Sequence, residues 1–223
     1  MRSHPNFAQT KNLAKPNQYV EMLQNEFKAW VVLEDIAAEF RGRWRNVFAT
    51  AMGQPADALK LDLEIGTGNG FHFAYRAQQE PLRALLGMEL KYKPIVQSIR
   101  RAVKAGCNNA RMLRFHAGCL EQLFSLQELN NVFIHFPDPW SRSKQAKHRL
   151  MNAEFLTTLW ERQRAMKNIE RSPYSITSLS YNWHHSGEWQ AAAPADRFIT
   201  HFETIFLRQG LPIHRATLRK SVL

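Results

Sequence analysis

The feature that most constrains this chain is a buried-strand pattern that runs straight into a glycine loop. Leu61-Asp62-Leu63-Glu64-Ile65 is followed at once by Gly66-Thr67-Gly68-Asn69-Gly70. Glycines at such a point let the backbone approach a ligand closely and turn sharply into a helix. A helix is predicted over Phe71 to Gln79. The loop is not the G-x-x-x-x-G-K-S/T of a nucleotide-triphosphate site, and its third glycine falls one position early for the G-x-G-x-x-G dinucleotide fingerprint.

The acid at the strand end narrows the ligand. Glu64 would repel a pyrophosphate but suits a cationic or zwitterionic molecule such as S-adenosylmethionine, with its sulfonium and amino groups. A second strand, Leu85 to Leu90, ends in Gly87-Met88-Glu89. Glu89 lies 25 residues past Glu64, where a carboxylate at the tip of the next strand can accept both hydroxyls of an adenosine ribose. The plainer reading is a structural loop with two incidental acids.

The rest of the chain repeats the strand–helix alternation. Leu59 to Ile65 reads as the first buried strand. A helix is predicted from Lys93 to Ala105 with Gly106 as its stop, a third strand from Ala110 to Phe115, and a fourth from Asn131 to Phe136. A further helix is expected over Asn152 to Met166, a β-rich run over Tyr174 to Tyr181, and a helix or strand over Phe202 to Leu218. Such βα units predict an α/β protein with a mostly parallel sheet and helices on both faces. Upstream, residues 1–17 read as a polar arm. Apolar residues from Val20 to Phe40 recur near helical spacing. The expected division is a helical extension over 1–42 and the main domain over 43–223. Arg41-Gly42-Arg43-Trp44-Arg45 lies at that boundary and either terminates the helix or touches RNA.

Charge points to the partner. Thirty Lys and Arg against nineteen Asp and Glu leave a formal net charge of +11, which favours a polyanion, nucleic acid first. No stretch approaches the roughly 18 apolar residues of a membrane span, and Met1-Arg2-Ser3-His4-Pro5 has no apolar signal region. Cys107 and Cys119 have neither metal-ligand nor disulfide-framework spacing, so reduced thiols in a cytoplasmic protein are expected. No metal site is expected: His72, His135, His184 and His185 form no ligand pattern.

The fourth strand runs into Phe136-Pro137-Asp138-Pro139-Trp140, then Ser141-Arg142-Ser143-Lys144-Gln145-Ala146-Lys147-His148-Arg149. The two prolines restrict their own φ and the residue before each, which holds Asp138 in a non-helical turn. A carboxylate fixed beside an aromatic ring suits a flat, electron-rich base that becomes cationic. Arg142, Lys144, Lys147 and Arg149 suit phosphates. Trp140 either stacks on a nucleobase or packs the turn. The bland alternative is a proline-rich surface turn with a solvated charge run.

These elements together carry a family resemblance. The glycine loop with Glu64, the Glu89 strand end with Leu90-Lys91-Tyr92-Lys93, the Pro-Asp-Pro-Trp element with its basic tail, and Thr200-His201-Phe202-Glu203 resemble the bacterial tRNA (guanine-N7-)-methyltransferases. The resemblance runs from about Arg43 to Arg219. It implies a Rossmann-like class I methyltransferase fold, S-adenosylmethionine as donor, and N7 of guanine 46 in the tRNA variable loop as acceptor. It implies that Glu64, Gly66, Gly68, Gly70 and Glu89 bind the cofactor and that Asp138 is catalytic. Arg142 stands where the family has a substrate-binding lysine. Thr200 and Glu203 match its T-x-Y/F-E substrate element, and Gly210, Pro212 and Arg215 its closing segment. Two positions depart from the pattern. His116, beside Ala117, replaces an acid on the adenine side of the cofactor. Tyr181-Asn182 replaces a Thr-Asp pair, so Asn182 offers guanine a hydrogen bond without charge. The competing reading is a tRNA-binding paralogue that has lost turnover. The resemblance allows a monomer or a homodimer.

Overall fold

The computed structural model describes residues 17–134, 150, 152–163, 175–180, 208 and 215–219. The chain divides into two compact units, Met1–Arg164 and Ala165–Leu223. In the first, α1 (Gln18–Gln24) leads to β1 (Val31–Val32), α2 (Glu34–Ala37), α3 (Asn46–Met52), β2 (Lys60–Ile65), α4 (Phe71–Gln79), β3 (Arg83–Glu89), α5 (Tyr92–Lys104), β4 (Ala110–Arg114), α6 (Leu120–Leu123), β5 (Val132–Ile134) and α7 (Ala153–Arg162). The strands form a five-stranded sheet of order β1-β4-β3-β2-β5, every pair parallel. The second unit contains an antiparallel pair, β6 (Ser175–Ser180) with β7 (Arg215–Arg219).

Alternation along the strands explains the layering. On β3, Ala84, Leu86 and Met88 enter one buried cluster and Leu85 the opposite one. The first cluster is covered by Trp44 and Phe48 around α3, Leu120 and Leu123 on α6, and Phe155 and Leu159 on α7. The second is covered by Leu23 on α1, Phe73 and Ala77 on α4, and Ile95, Val96, Ile99 and Ala102 on α5. A parallel sheet buried on both faces needs this double cover. The order also contains a reversal. From β2 the chain steps to β3 and β4 on one side, then returns to place β5 on the other. Ligands in open α/β sheets bind outside the carboxyl ends of the strands at such a switch point.

The predicted strands and helices fall within a residue or two of the observed ones from β2 to β4. Upstream, the structure corrects the expected helix. After α1 the chain forms a single 3-10 turn, Lys28–Trp30, and then the short strand β1, which pairs with β4 through Val31↔Met112 and Val32↔Leu113. Two adjacent β-branched valines favour the pleated sheet edge over a helix. Val32 and Ala37 share one buried cluster with Trp44 and Phe48, so residues on both sides of position 42 pack together.

Arg41 to Arg45 anchors this region. Trp44 is fully buried and its indole N–H donates to the Leu123 carbonyl at 2.7 Å. The Glu128 carboxylate accepts from the backbone N–H groups of Gly42 at 2.9 Å, Trp44 at 3.1 Å and Ser125 at 2.9 Å. Arg45 donates to the carbonyls of Leu59 and Glu128. The segment is therefore an internal clamp: Trp44 faces the core and Arg45 faces backbone acceptors. Trp44→Ala is expected to cost about 3–5 kcal/mol, read as a fall in the urea midpoint.

Candidate active site

The tips of β2, β3, β4 and β5 lie along one sheet edge, in a register that gathers several predicted residues. Ile65 stands opposite Met88 and Ile134, and Glu89 opposite Arg114. Gly66, Gly68, Glu89, His116 and Ala117 all follow or end strands at this edge. Asp138, Trp140, Arg142, Lys144, Lys147, Arg149, Asn182, Thr200 and Glu203 lie outside the described residues, as do Gly210 and Pro212.

The glycine loop is held from below and open above. The N–H groups of Gly66 and Thr67 donate to the Met88 carbonyl at 2.8 and 3.4 Å. Ser98 Oγ on α5 donates to the Gly68 carbonyl at 3.2 Å and lies 3.3 Å from Thr67 Oγ1. Gly66 and Gly68 have φ of +74° and +53°, and a Cβ on either would meet nothing within 4 Å. This is open space over a backbone that only glycine adopts without strain. Gly70 differs. A Cβ there would sit 2.3 Å from Ser98 Cα, so its glycine is required by the approach of α5. Gly87 is similarly closed in, by Met112, Phe73 and Thr67.

Glu89 joins the loop to the next strand. Its Oε2 accepts from Gly68 N–H at 3.2 Å, and its Oε1 from Leu90 and Lys91 N–H at 2.8 and 3.1 Å. A carboxylate has about four acceptor positions, so Oε2 keeps capacity for a hydroxyl. The Leu90 carbonyl accepts from Arg114 Nε at 2.9 Å. Arg114 is fully buried, pairs with Glu34, and sets its guanidinium 4.1 Å from the Tyr92 ring. The strand tip is thus fixed on both sides.

Glu64 is 1% exposed, and its Oε2 lies 2.7 Å from His72 Nδ1 on the first turn of α4. An ionised carboxylate only accepts, so Nδ1 carries the proton in this contact. Two residues earlier, Asp62 projects to the same face. It accepts from Arg83 Nε at 2.7 Å, and from Asn131 N–H and Nδ2 at 3.1 Å each, with Arg76 at 3.6 Å. The Arg83 guanidinium is held above its ordinary range, chiefly by its hydrogen bond to Asp62. His72 and Arg76 are one helical turn apart and answer acids two residues apart in a strand. In the sequence His72 stands out only as a histidine without a metal-ligand pattern. The readable signal was this match of the helix period of four to the strand period of two.

His116 Nδ1 accepts from Gly118 N–H at 3.0 Å and caps the 3-10 turn Ala117–Cys119. Both cysteines are free. Burial pushes the thiols of Cys107 and Cys119 up, so they stay protonated near neutral pH. No cluster of three metal-ligating side chains occurs among the described residues, and no helix there is long and apolar enough to cross a membrane. The open cradle over Gly66 and Gly68, with the Glu89 carboxylate bonded to the Gly68 N–H and the buried Glu64 two residues before the loop, fits a zwitterionic nucleoside such as S-adenosylmethionine.

Known proteins resemble this chain in fold and in sequence. A solved antibiotic-resistance methyltransferase, Kmr, superposes with a TM-score of 0.50 at 14% identity, over 80% of this chain and 93% of its own. The fold is that of the Rossmann-like methyltransferases. A family model described as a putative methyltransferase matches residues 59–169. The tRNA (guanine-N(7)-)-methyltransferase of Bdellovibrio bacteriovorus is 40% identical over 218 residues, 89% of this chain and all of that protein. The enzymes so named from Geobacillus kaustophilus and Bacillus velezensis are 30% and 27% identical over 78% and 80% of this chain, and 82% and 84% of their own lengths. The chain belongs to the tRNA (guanine-N7-)-methyltransferase family.

The two glycines predict different failures. Gly68→Ala is expected to cost about 1–2 kcal/mol for its left-handed backbone and to weaken S-adenosylmethionine binding, because its methyl enters the cradle. Gly70→Ala is expected to lose more stability than Gly68→Ala, since it also displaces α5. Urea unfolding and titration calorimetry of the two variants separate these effects.

Proposed function

We propose that this chain transfers a methyl group from S-adenosylmethionine to N7 of guanine 46 in the variable loop of tRNA. The observation that carries the reading is the open glycine cradle between the carboxylates of Glu64 and Glu89, at the switch point of a sheet whose family acts on tRNA. When bound, S-adenosylmethionine supplies an electrophilic methyl on a sulfonium centre. Glu89 holds the ribose hydroxyls through Oε2, and Glu64 faces the amino-acid end. Gly66 and Gly68 admit the nucleoside without a side chain in the way. His116 and Ala117 border the adenine.

Little acid–base work is asked of the protein. Guanine N7 has a lone pair and no proton, so no general base is needed to make the nucleophile. The residues must align N7 with the methyl and keep water out. Asp138 holds the guanine and stabilises the positive charge that grows on its imidazole ring. It follows Ile134, the last residue of β5, by four residues in the sequence. Trp140 supports the base. Arg142, Lys144, Lys147 and Arg149 track phosphates, and Asn182, Thr200 and Glu203 contact the target nucleotide. The net charge of +11 supports a polyanionic partner. A cytoplasmic location and action as a monomer or homodimer accompany this reading.

The competing reading, a tRNA-binding paralogue without turnover, draws on His116, whose Nδ1 is already engaged by Gly118. One experiment separates the two. Unmodified tRNA transcripts carrying guanine or adenine at position 46 are incubated with labelled S-adenosylmethionine. The expected result is N7-methylguanosine in the guanine transcript alone. Equal labelling of both transcripts rejects the position, and no labelling of either favours the paralogue. Asp138→Ala is expected to lower kcat by about 100-fold or more while the unfolding midpoint stays unchanged.

A further inference from the structure

Helix α5 has an outer face of one sign. Its sequence, Tyr92 to Lys104, contains Lys93, Arg100, Arg101 and Lys104 and no acidic residue. Positions 93, 97, 100, 101 and 104 fall within one stripe about 100° wide on a helix of 3.6 residues per turn. Ile95, Val96, Ile99 and Ala102 form the opposite, buried side. Lys93, Arg100 and Lys104 are exposed, and so is Lys91 just before the helix. Among the described residues none of these cations is ion-paired, whereas Arg76, Arg83, Arg114 and Arg162 each meet a carboxylate. From Lys93 to Lys104 the stripe runs about 16 Å along the helix axis, long enough to follow several phosphates of one strand.

The stripe connects to the glycine loop. Arg101 NH1 donates to the Asn69 carbonyl at 2.8 Å, and its guanidinium lies 3.8 Å from the centroid of the Phe71 ring. Phe71 nonetheless stays 44% exposed at the first position of α4. A part-exposed aromatic ring with a cation on it is the kind of platform on which single-stranded nucleic acid stacks its bases.

Resting on the reading that tRNA is the substrate, we propose that the outer face of α5, with the Phe71–Arg101 pair at its edge, is a second tRNA-contact surface. It is separate in sequence from the basic run 141–149. Lys93, Arg100 and Lys104 take backbone phosphates, and Phe71 takes an unstacked base. These contacts position the tRNA and carry little sequence information of their own.

The test measures tRNA affinity of the full chain across about 50–200 mM salt. It compares wild type, Lys93→Gln/Arg100→Gln/Lys104→Gln, the charge-keeping Lys93→Arg/Lys104→Arg, and a basic-run control, Lys144→Gln/Lys147→Gln. The triple variant is expected to bind at least tenfold more weakly near physiological salt. Its slope of log affinity against log salt should be shallower by about 2–3, at 0.7–0.9 per phosphate contact. The arginine variant should bind as wild type does. S-adenosylmethionine affinity by calorimetry should not move in any of them, and each should unfold cooperatively, the triple variant at a slightly lower midpoint because Arg100 also packs on Phe27 and Met22. Wild-type tRNA affinity and slope in the triple variant, beside a weakened basic-run control, would overturn the α5 surface and leave the proposed substrate standing. A triple variant that loses only binding to anionic vesicles or to an acidic protein would overturn it in the same way. Absence of tRNA binding by the wild type would overturn the substrate reading and the α5 surface with it.

Discussion

Two buried carboxylates on one face of β2 set the terms for the rest of the molecule. Asp62 and Glu64 are 2% and 1% exposed, in a strand whose other inward residues are Leu61, Leu63 and Ile65. An ionised group removed from water costs several kcal/mol unless it is paired and hydrogen-bonded. Only partners supplied by neighbouring elements relieve that cost here. α4 supplies His72 and Arg76, β3 supplies Arg83, and the entry to β5 supplies Asn131. Meeting all of them fixes the rotation of α4 about its axis. It also fixes the start of α4, and so the course of the glycine loop that joins it to β2. Arg76 further packs its guanidinium 4.1 Å from the Phe133 ring, which carries the constraint into β5.

The same logic governs the tip of β3. Glu89 is held by three backbone N–H groups, two of them from the turn that leads into α5. Behind that turn stands the buried Arg114–Glu34 pair. Glu34 belongs to α2, so the upstream segment contributes directly to the rigidity of the cradle. Glu128 performs a similar task farther from the site, where it collects the N–H groups of Gly42, Trp44 and Ser125. Substrate sites work best on rigid supports; here Glu89 and Glu128 are held by backbone N–H groups, and Arg114 by the Glu34 carboxylate and the Leu90 carbonyl.

Much of this was legible in the sequence. The strand–loop–helix unit, the two acids at strand tips and the order of βα units follow from local periodicity and glycine placement, because those signals lie within a dozen residues. What escaped was long-range. The valine pair of β1 reads as part of a helix until its partner Met112–Leu113 is known. Arg41 to Arg45 reads either as a helix terminator or as an RNA contact until Glu128, more than eighty residues away, is seen to hold the Gly42 and Trp44 N–H groups. Gly70 reads like Gly66 and Gly68, and only the position of Ser98 shows that it serves packing. His72 escaped because its partner precedes it across the loop, outside any motif window. The Pro-Asp-Pro-Trp element and the residues around Asn182, Thr200 and Glu203 rest on the sequence and the family.

The methyl transfer proposed for this chain depends on the cradle beside Glu64 and Glu89 being a donor site. Titration calorimetry of the full chain with S-adenosylmethionine tests that most directly. The expected result is one site per chain, with affinity reduced at least tenfold in Glu89→Ala, a variant that still unfolds cooperatively, at a midpoint lowered by the loss of its backbone N–H partners. Absence of binding to the wild-type chain, or equal binding to both proteins, would contradict it.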